Sequence, residues 1–322
     1  MTTPSRAAHT RALWMLLLGN LFWGLSFPLI KAIGLEHAQL LPASSNWFIT
    51  AYTIAPRFLL AALILAVLLR GELVRMSALE FRQGLFIGLA ATGGVLFQND
   101  GLQFTSASTS AFLTQLTAIL VPCWIAWRTR RAPPPVVWLC CALVLVGVGV
   151  LARFDFRTLK MGRGEFETLV CSFFFMGQIL VLDDRRYLGN RALPVSFVMF
   201  AVLAVIFSVM ALLTAPRPAD VLVPWTSAPW LGFTVLLTLF CTLGSFIIMN
   251  KYQPAITATE AGLIYCIEPI FASLMALFLP GWFSMWAGFD YPNETLTWHL
   301  LLGGAFITLG NVLLQLKPPA KA

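Results

Sequence analysis

WFITAYTIAPRFLLAALILAVLL, residues 47–69, carries a single charge, Arg57. A helix that crosses a bilayer needs about 20 mainly apolar residues. Backbone groups in hydrocarbon must be satisfied within the segment, which for an isolated run of this length leaves only a helix. The stretch therefore reads as a membrane span with an arginine close to its middle. Outward from it, comparable runs fall at approximately 12–33, 81–99, 105–127, 135–152, 165–183, 194–214, 229–249, 256–280 and 298–316. The alternating short strands of an outer-membrane barrel do not occur.

Composition demands the same answer. Of 322 residues, 59% are hydrophobic and 11% charged, with a mean hydropathy of +0.82. Soluble domains carry about 25% charged residues, so much of this surface must face lipid, and little chain is left for a soluble domain. The net charge of +7 and pI near 9.3 come from short basic clusters between apolar runs, as juxtamembrane charges do, and not from one continuous face. No nucleic-acid partner is expected. Cys123, Cys140, Cys141, Cys171, Cys241 and Cys266 all lie in apolar stretches without metal-ligand spacing, so they read as packing residues, and neither metal nor cofactor is expected. Arg6 and Arg11 precede an apolar run that could mimic a secretory signal. That run holds Trp14, Asn20, Trp23 and Pro28 without a small-residue cleavage site, so it reads as a retained first span.

Breaks at 128–135 (RTRRAPPP), 183–191 (DDRRYLGNR) and 215–218 (APRP) separate the runs. The stretch 281–295 reads as a polar and aromatic connection; its Asn293-Glu294-Thr295 matches a glycosylation sequon, a pattern common by chance. With the N-terminus in the cytoplasm, that side holds Arg6, Arg11, Arg70, Arg75, Arg82, Arg128, Arg130, Arg131, Arg185, Arg186, Arg191, Lys251, Lys317 and Lys321. The other side holds Lys31, Arg153, Arg157, Lys160, Arg163 and Arg217. The excess fits the positive-inside rule with both termini cytoplasmic, the 153–163 cluster being discordant.

Residues 105–121 (TSASTSAFLTQLTAILV) and 256–272 (ITATEAGLIYCIEPIFA) align weakly, and Leu21–Gly24 corresponds loosely to Phe174–Gly177. Each half holds five spans. Duplicating an odd number of spans inverts the second half, the arrangement by which many secondary transporters build two similar states around a midplane site. The alternative explanation of the alignment is that packed membrane helices share small residues.

Trp23-Gly24 with Phe27, then Arg57-Phe58 opening a Leu/Ala-rich run, resembles the first two spans of the drug/metabolite transporter superfamily, EamA family. Thr105-Ser106-Ala107-Ser108 through Phe112-Leu113-Thr114 and Pro122 looks like its fourth span, and Glu268-Pro269 like the matching motif of the second half. The resemblance implies an all-α integral membrane fold of ten transmembrane helices, as two inverted-topology five-helix repeats at 1–152 and 163–316 with a short tail at 317–322. It further implies a central cavity lined mainly by the first four helices of each half. Two features depart from the family: Thr117-Ala118 stands where the second half has Glu268-Pro269, and the link between the last two spans is longer than the family's compact turn.

Intramembrane polar groups are default functional candidates. Arg57 lies about 15 Å into its span, and Glu268 at similar depth in the ninth. They are expected to face the cavity, paired with each other or contacting substrate; a fixed ion pair locking helices is the structural alternative. Glu268 is also the candidate for proton coupling, with Pro269 freeing a backbone carbonyl beside it. Asn20, Trp23, Gln98, Asn99, Thr114, Gln115, Gln178 and Tyr265 supply neutral polar and aromatic groups suited to a modest-sized, partly apolar solute, although some serve only helix-helix hydrogen bonds.

No HExxH, GxSxG or Walker pattern is present, so the chain does not read as an enzyme; nor is there a filter-like repeat of a channel. The expected function is secondary transport of a small organic solute (metabolite, amino acid or drug-like compound), as an exporter working by alternating access. The alternatives are a proton-coupled importer and, further off, an intramembrane enzyme. The expected setting is a bacterial cytoplasmic (inner) membrane, with lipid and solute, and protons if coupled, as partners.

Overall fold

The computed structural model describes residues 6–101, 104, 110, 113–151 and 162–316, the side chains of Arg6 and Gln315 excepted. Thr105 to Ser108, Phe112, Arg153, Arg157, Lys160, Lys317 and Lys321, with the 317–322 tail, lie outside the described residues. Every regular element described is helical: α1 (Arg6–Leu40), α2 (Asn46–Leu68), α3 (Arg70–Leu73), α4 (Ala78–Gly101), α5 (Thr117–Thr129), α6 (Pro135–Leu151), α7 (Arg163–Asp183), α8 (Ala192–Thr214), α9 (Ala228–Leu236), α10 (Ser245–Tyr252), α11 (Ala258–Tyr265), α12 (Glu268–Ala276), α13 (Leu279–Ala287) and α14 (Trp298–Leu316), with short 3-10 turns between some of them. Six helical stretches among the described residues are long and apolar enough to cross a membrane, and shorter apolar helices accompany them. This is an all-α, multi-pass membrane protein.

Local chemistry sets the boundaries. Ser45 Oγ accepts the Phe48 N–H to start α2, Ser227 does the same for Trp230 at α9, and Thr257 and Glu260 form a capping box at α11. Arg130, in the left-handed region at φ 54°, stops α5 ahead of the proline run. The structure departs from the sequence expectation in three places. The eighth run contains a π-helical segment, Leu237–Gly244, between α9 and α10. The ninth is broken, α11 ending at Tyr265 and α12 starting at Glu268. The stretch 281–295 is not simply a connection, because α13 forms its first half. Pro269 cannot donate a backbone bond, which accounts for a restart in its first turn.

α2 lies along α8, α4 against both α7 and α8, α6 along α14, and α1 across the α9–α10 stretch and α12. Phe48, Phe58, Phe200, Phe207, Trp230 and Phe233 are fully buried at the largest of these interfaces. Leu63, Val67, Leu68, Val209, Leu212 and Leu213 point outward, as lipid-facing residues do. Where backbones cross, side chains vanish: a Cβ on Gly147 would stand 2.7 Å from the Gly303 carbonyl oxygen, and one on Gly303 2.6 Å from that of Gly147. Exposed tryptophans fall into two belts, Trp14, Trp124, Trp127 and Trp138 towards the end where α1 begins, and Trp47, Trp225, Trp282, Trp286 and Trp298 towards the opposite end. Such girdles mark the two membrane-water interfaces.

At the end where α1 begins, Glu80 ties α4 to α8. Its carboxylate accepts from Arg191 Nε at 2.7 Å and Nη2 at 3.0 Å, and from the Ser77 N–H at 2.8 Å. The Arg191 hydrogen bond, with the backbone donors, holds the carboxyl down to about 2 from the ordinary 4.5. A folded-state value below the unfolded one stabilises the fold at pH above about 4.5, and that contribution disappears as pH falls towards 2. Thermal unfolding in detergent should therefore show Tm falling through that window, and Glu80→Gln should lower Tm at neutral pH while flattening the acid decline. An unchanged acid profile in Glu80→Gln would remove this strut from the account.

Candidate functional site

Arg57 occupies the middle of α2 with only 6% of its surface exposed, and its Nε–H is buried without an acceptor. Among the described residues it has no hydrogen-bond or ion-pair partner; the Phe58 ring, 4.8 Å from the guanidinium carbon, is its nearest aromatic face. Glu268 opens α12 at the break in the ninth run and likewise has no hydrogen-bond or ion-pair partner among the described residues. It is half-buried. The two charges do not form an ion pair with each other. Both lie within electrostatic reach of Cys241, which sits on the π-helical segment. Cys241, on a third helical run, is thus the residue that both charges neighbour.

The aromatic and amide residues split into groups. Trp23 of α1 packs edge-on against Tyr265 of α11 (centroids 5.4 Å) and Phe246 of α10 (5.3 Å). Tyr265 donates its hydroxyl to Gln253 Oε1 at 2.7 Å, and Gln253 Nε2 donates to the Ile179 carbonyl of α7 at 2.9 Å. This chain joins α11, the end of α10 and α7. Gln178 Nε2, next to Ile179, is buried and unpartnered, and so is Asn20 Oδ1, although Asn20 Nδ2 donates to the Leu16 carbonyl. Asn20, Trp23, Gln178, Tyr265 and Glu268 therefore belong to the helices around the α11–α12 break. Backbone approach there is close, since a Cβ on Gly24 would stand 2.7 Å from Phe271 Cβ and 2.9 Å from the Ala272 nitrogen.

Gln98, Asn99, Thr114 and Gln115 sit elsewhere. Asn99 Nδ2 bonds the Val95 carbonyl within its own helix, and Thr114 Oγ1 bonds the Ser110 carbonyl and lies 3.7 Å from Cys171 Sγ. Ser172 Oγ donates to the Leu113 carbonyl at 2.8 Å. Thr114 is thus part of a hydroxyl seam between the fourth span and α7, while Gln98 is half-buried and Gln115 buried. Beyond this seam, Arg163 bridges Asp100 (2.6 Å) and Glu167 (2.8 Å). Two carboxylates thus partner one cation of the discordant 153–163 cluster.

Sequence reasoning singled out Arg57 and Glu268 because a charge in an apolar run is conspicuous. It passed over Gln253, which reads as a residue at a helix end, and its packing reading of Cys241 agrees with that residue's burial in the core. No signal in LTLFCTLG announces a π helix, an irregularity frequent at functional sites.

The fold and this interior define a class, helical membrane proteins that keep charged and polar side chains within the bilayer. Residues 10–153 match the EamA-like transporter family. The chain is 26% identical over 267 residues to an uncharacterized transporter of Archaeoglobus fulgidus, covering 80% of this chain and 74% of that protein. A protein crystal structure of 17% identity superposes with a TM-score of 0.68, covering 96% of this chain and 97% of the other, which shows a shared fold alone. The first half of the chain is thus similar to the EamA-like transporter family, and most of the chain to a transporter.

Proposed function

We propose that the chain exports a small organic solute by alternating access around the interior region bounded by Arg57, Cys241 and Glu268. The carrying observation is that the two charges, each within an apolar helical run, have no hydrogen-bond or ion-pair partner among the described residues. An arginine at the centre of a spanning helix costs about 2.5–3.5 kcal/mol on insertion scales, and no described ion pair offsets that cost. A role towards a passing solute accounts for it better than a fixed lock. Trp23, Tyr265, Asn20 and Gln178 supply aromatic faces and spare hydrogen-bonding capacity beside the carboxyl, which suits a partly apolar solute with a few polar groups.

The reading places units 1–152 and 163–316 as inverted five-helix repeats of a ten-span fold, with both termini cytoplasmic in a bacterial inner membrane. Helix pairing supports it: α2 with α8, and α6 with α14, are the second spans and the fifth spans of the two units meeting each other. The contact of α4 with α7 has its counterpart in that of the π segment and α10 with α1, as a pseudo-twofold axis requires. Glu268 is the proton carrier in this scheme, standing at a helix break where Pro269 removes one backbone donor.

Inverted vesicles loaded by a panel of labelled amino acids, metabolites and drug-like cations, with and without a proton gradient, test the proposal. Saturable accumulation of at least one solute is expected, stimulated by an inside-acid gradient. Flux that rises linearly with concentration would indicate a channel, and no flux across the panel would count against transport of this solute class.

A further inference from the structure

α13 has two unlike faces. The inner one is fixed in place. Phe283 and Trp286 pack edge-on against Phe233 of α9 (centroids 5.0 and 4.8 Å), and the Trp286 ring fills the space that the missing side chain of Gly232 leaves. Ser284 Oγ both donates to the Tyr291 carbonyl and accepts the Tyr291 N–H, each at 2.8 Å. Asn293 Oδ1 accepts the Gly281 N–H at 2.7 Å, so the sequon asparagine serves as a remote cap for the first turn of α13. Gly288, at φ 77°, ends the helix in the left-handed region that only glycine adopts freely.

The other face is bare. Phe278, Trp282 and Met285 follow one another at helical spacing and are all exposed, Met285 at 78%. Leu279–Ala287 carries no charged residue. The geometry points to α13 as an interfacial helix seated in the lipid leaflet at the end where α1 finishes, with Phe278, Trp282 and Met285 below the headgroups. Two features select lipid over a protein partner. Leu296, Trp298, Leu301 and Leu302, at the start of the apolar helix α14, are exposed at the same end of the bundle. The bare face also lies at one of the two tryptophan belts, where indole rings favour the headgroup boundary. Because only Leu277 and Phe278 separate α12 from α13, the leaflet holds the far end of the helix that starts with Glu268.

The test uses the full chain with Met285→Cys in a Cys123→Ala background, Cys123 being the one exposed native cysteine. The cysteine carries an environment-sensitive fluorophore, and the protein is reconstituted in phosphatidylcholine/phosphatidylglycerol vesicles. Nitroxides on the upper acyl chain are expected to quench the label roughly threefold more strongly than aqueous iodide does. A label at Glu294→Cys should show the reverse preference. Iodide quenching at 285 equal to that at 294, with no effect of lipid nitroxides, would overturn the proposal. So would quenching by neither, accompanied by energy transfer between labelled copies, which would assign the face to a second copy of the chain. Trp282→Cys provides the same readout if Met285→Cys fails to fold.

Discussion

Glu268→Gln and Arg57→Lys should each reduce transport by about tenfold or more while the protein still inserts and folds, because one removes a titratable charge and the other a planar donor fork, and neither a helix-helix lock. Glutamine keeps the size of the side chain at 268 but neither binds nor releases a proton. Lysine keeps the charge at 57 but loses the planar donor fork, whose Nε–H is buried and unpartnered in this structure. Neither charge has an ion-pair partner among the described residues, so neither substitution strands a buried counter-charge, the usual cause of gross destabilisation. The measurement is initial-rate flux of the solute found in the vesicle panel, normalised to folded protein by detergent chromatography. Wild-type flux in both variants would remove these residues from the transport path. Loss of folded protein in either would reassign that residue to helix locking.

Gly147→Leu should be among the most destabilising single changes in the bundle. A Cβ there meets the Gly303 carbonyl oxygen at 2.7 Å and the Ile307 nitrogen at 2.8 Å. Both are backbone atoms, which cannot rotate aside. Overpacking typically costs about 1–3 kcal/mol, and a branched side chain against a helix backbone belongs at or above the upper end of that range. α6 and α14 would separate, so Tm in detergent should fall by several degrees or folded protein should be lost outright. Gly177→Leu is the control, because a Cβ at Gly177 meets nothing within 4 Å. Equal Tm for the two variants would show that α6 and α14 do not pack through these glycines.

The legible parts of this molecule were those that a long-range constraint writes into local sequence. Lipid forbids charge and demands backbone closure, so 47–69 and its fellows announce themselves, and Arg57 and Glu268 stand out against them. The break before Glu268 could be read from Pro269, since a residue without an N–H cannot continue a helix unaided. What stayed hidden depends on tertiary packing. The π segment 237–244 contains no proline; Gly244 is pressed against Phe22 and Phe240 against the same ring, contacts that only the folded bundle supplies. Gln253 acquires its role from Tyr265 and Ile179, one twelve residues ahead and the other 74 behind. α13 was obscured for a different reason. It is short, and its aromatic residues precede Asp290, Pro292 and Glu294, so the stretch averaged to a loop although Pro280 and Gly288 mark its two ends.

Opposed threading of the two halves is what gives a carrier its two faces, and cysteine accessibility in sealed right-side-out and inverted vesicles tests it most directly. Arg131→Cys and Arg185→Cys should both react with a membrane-impermeant thiol reagent only in inverted vesicles, while Asn293→Cys should react only in right-side-out ones. Reaction of positions 131 and 185 from opposite faces of the membrane would contradict the account.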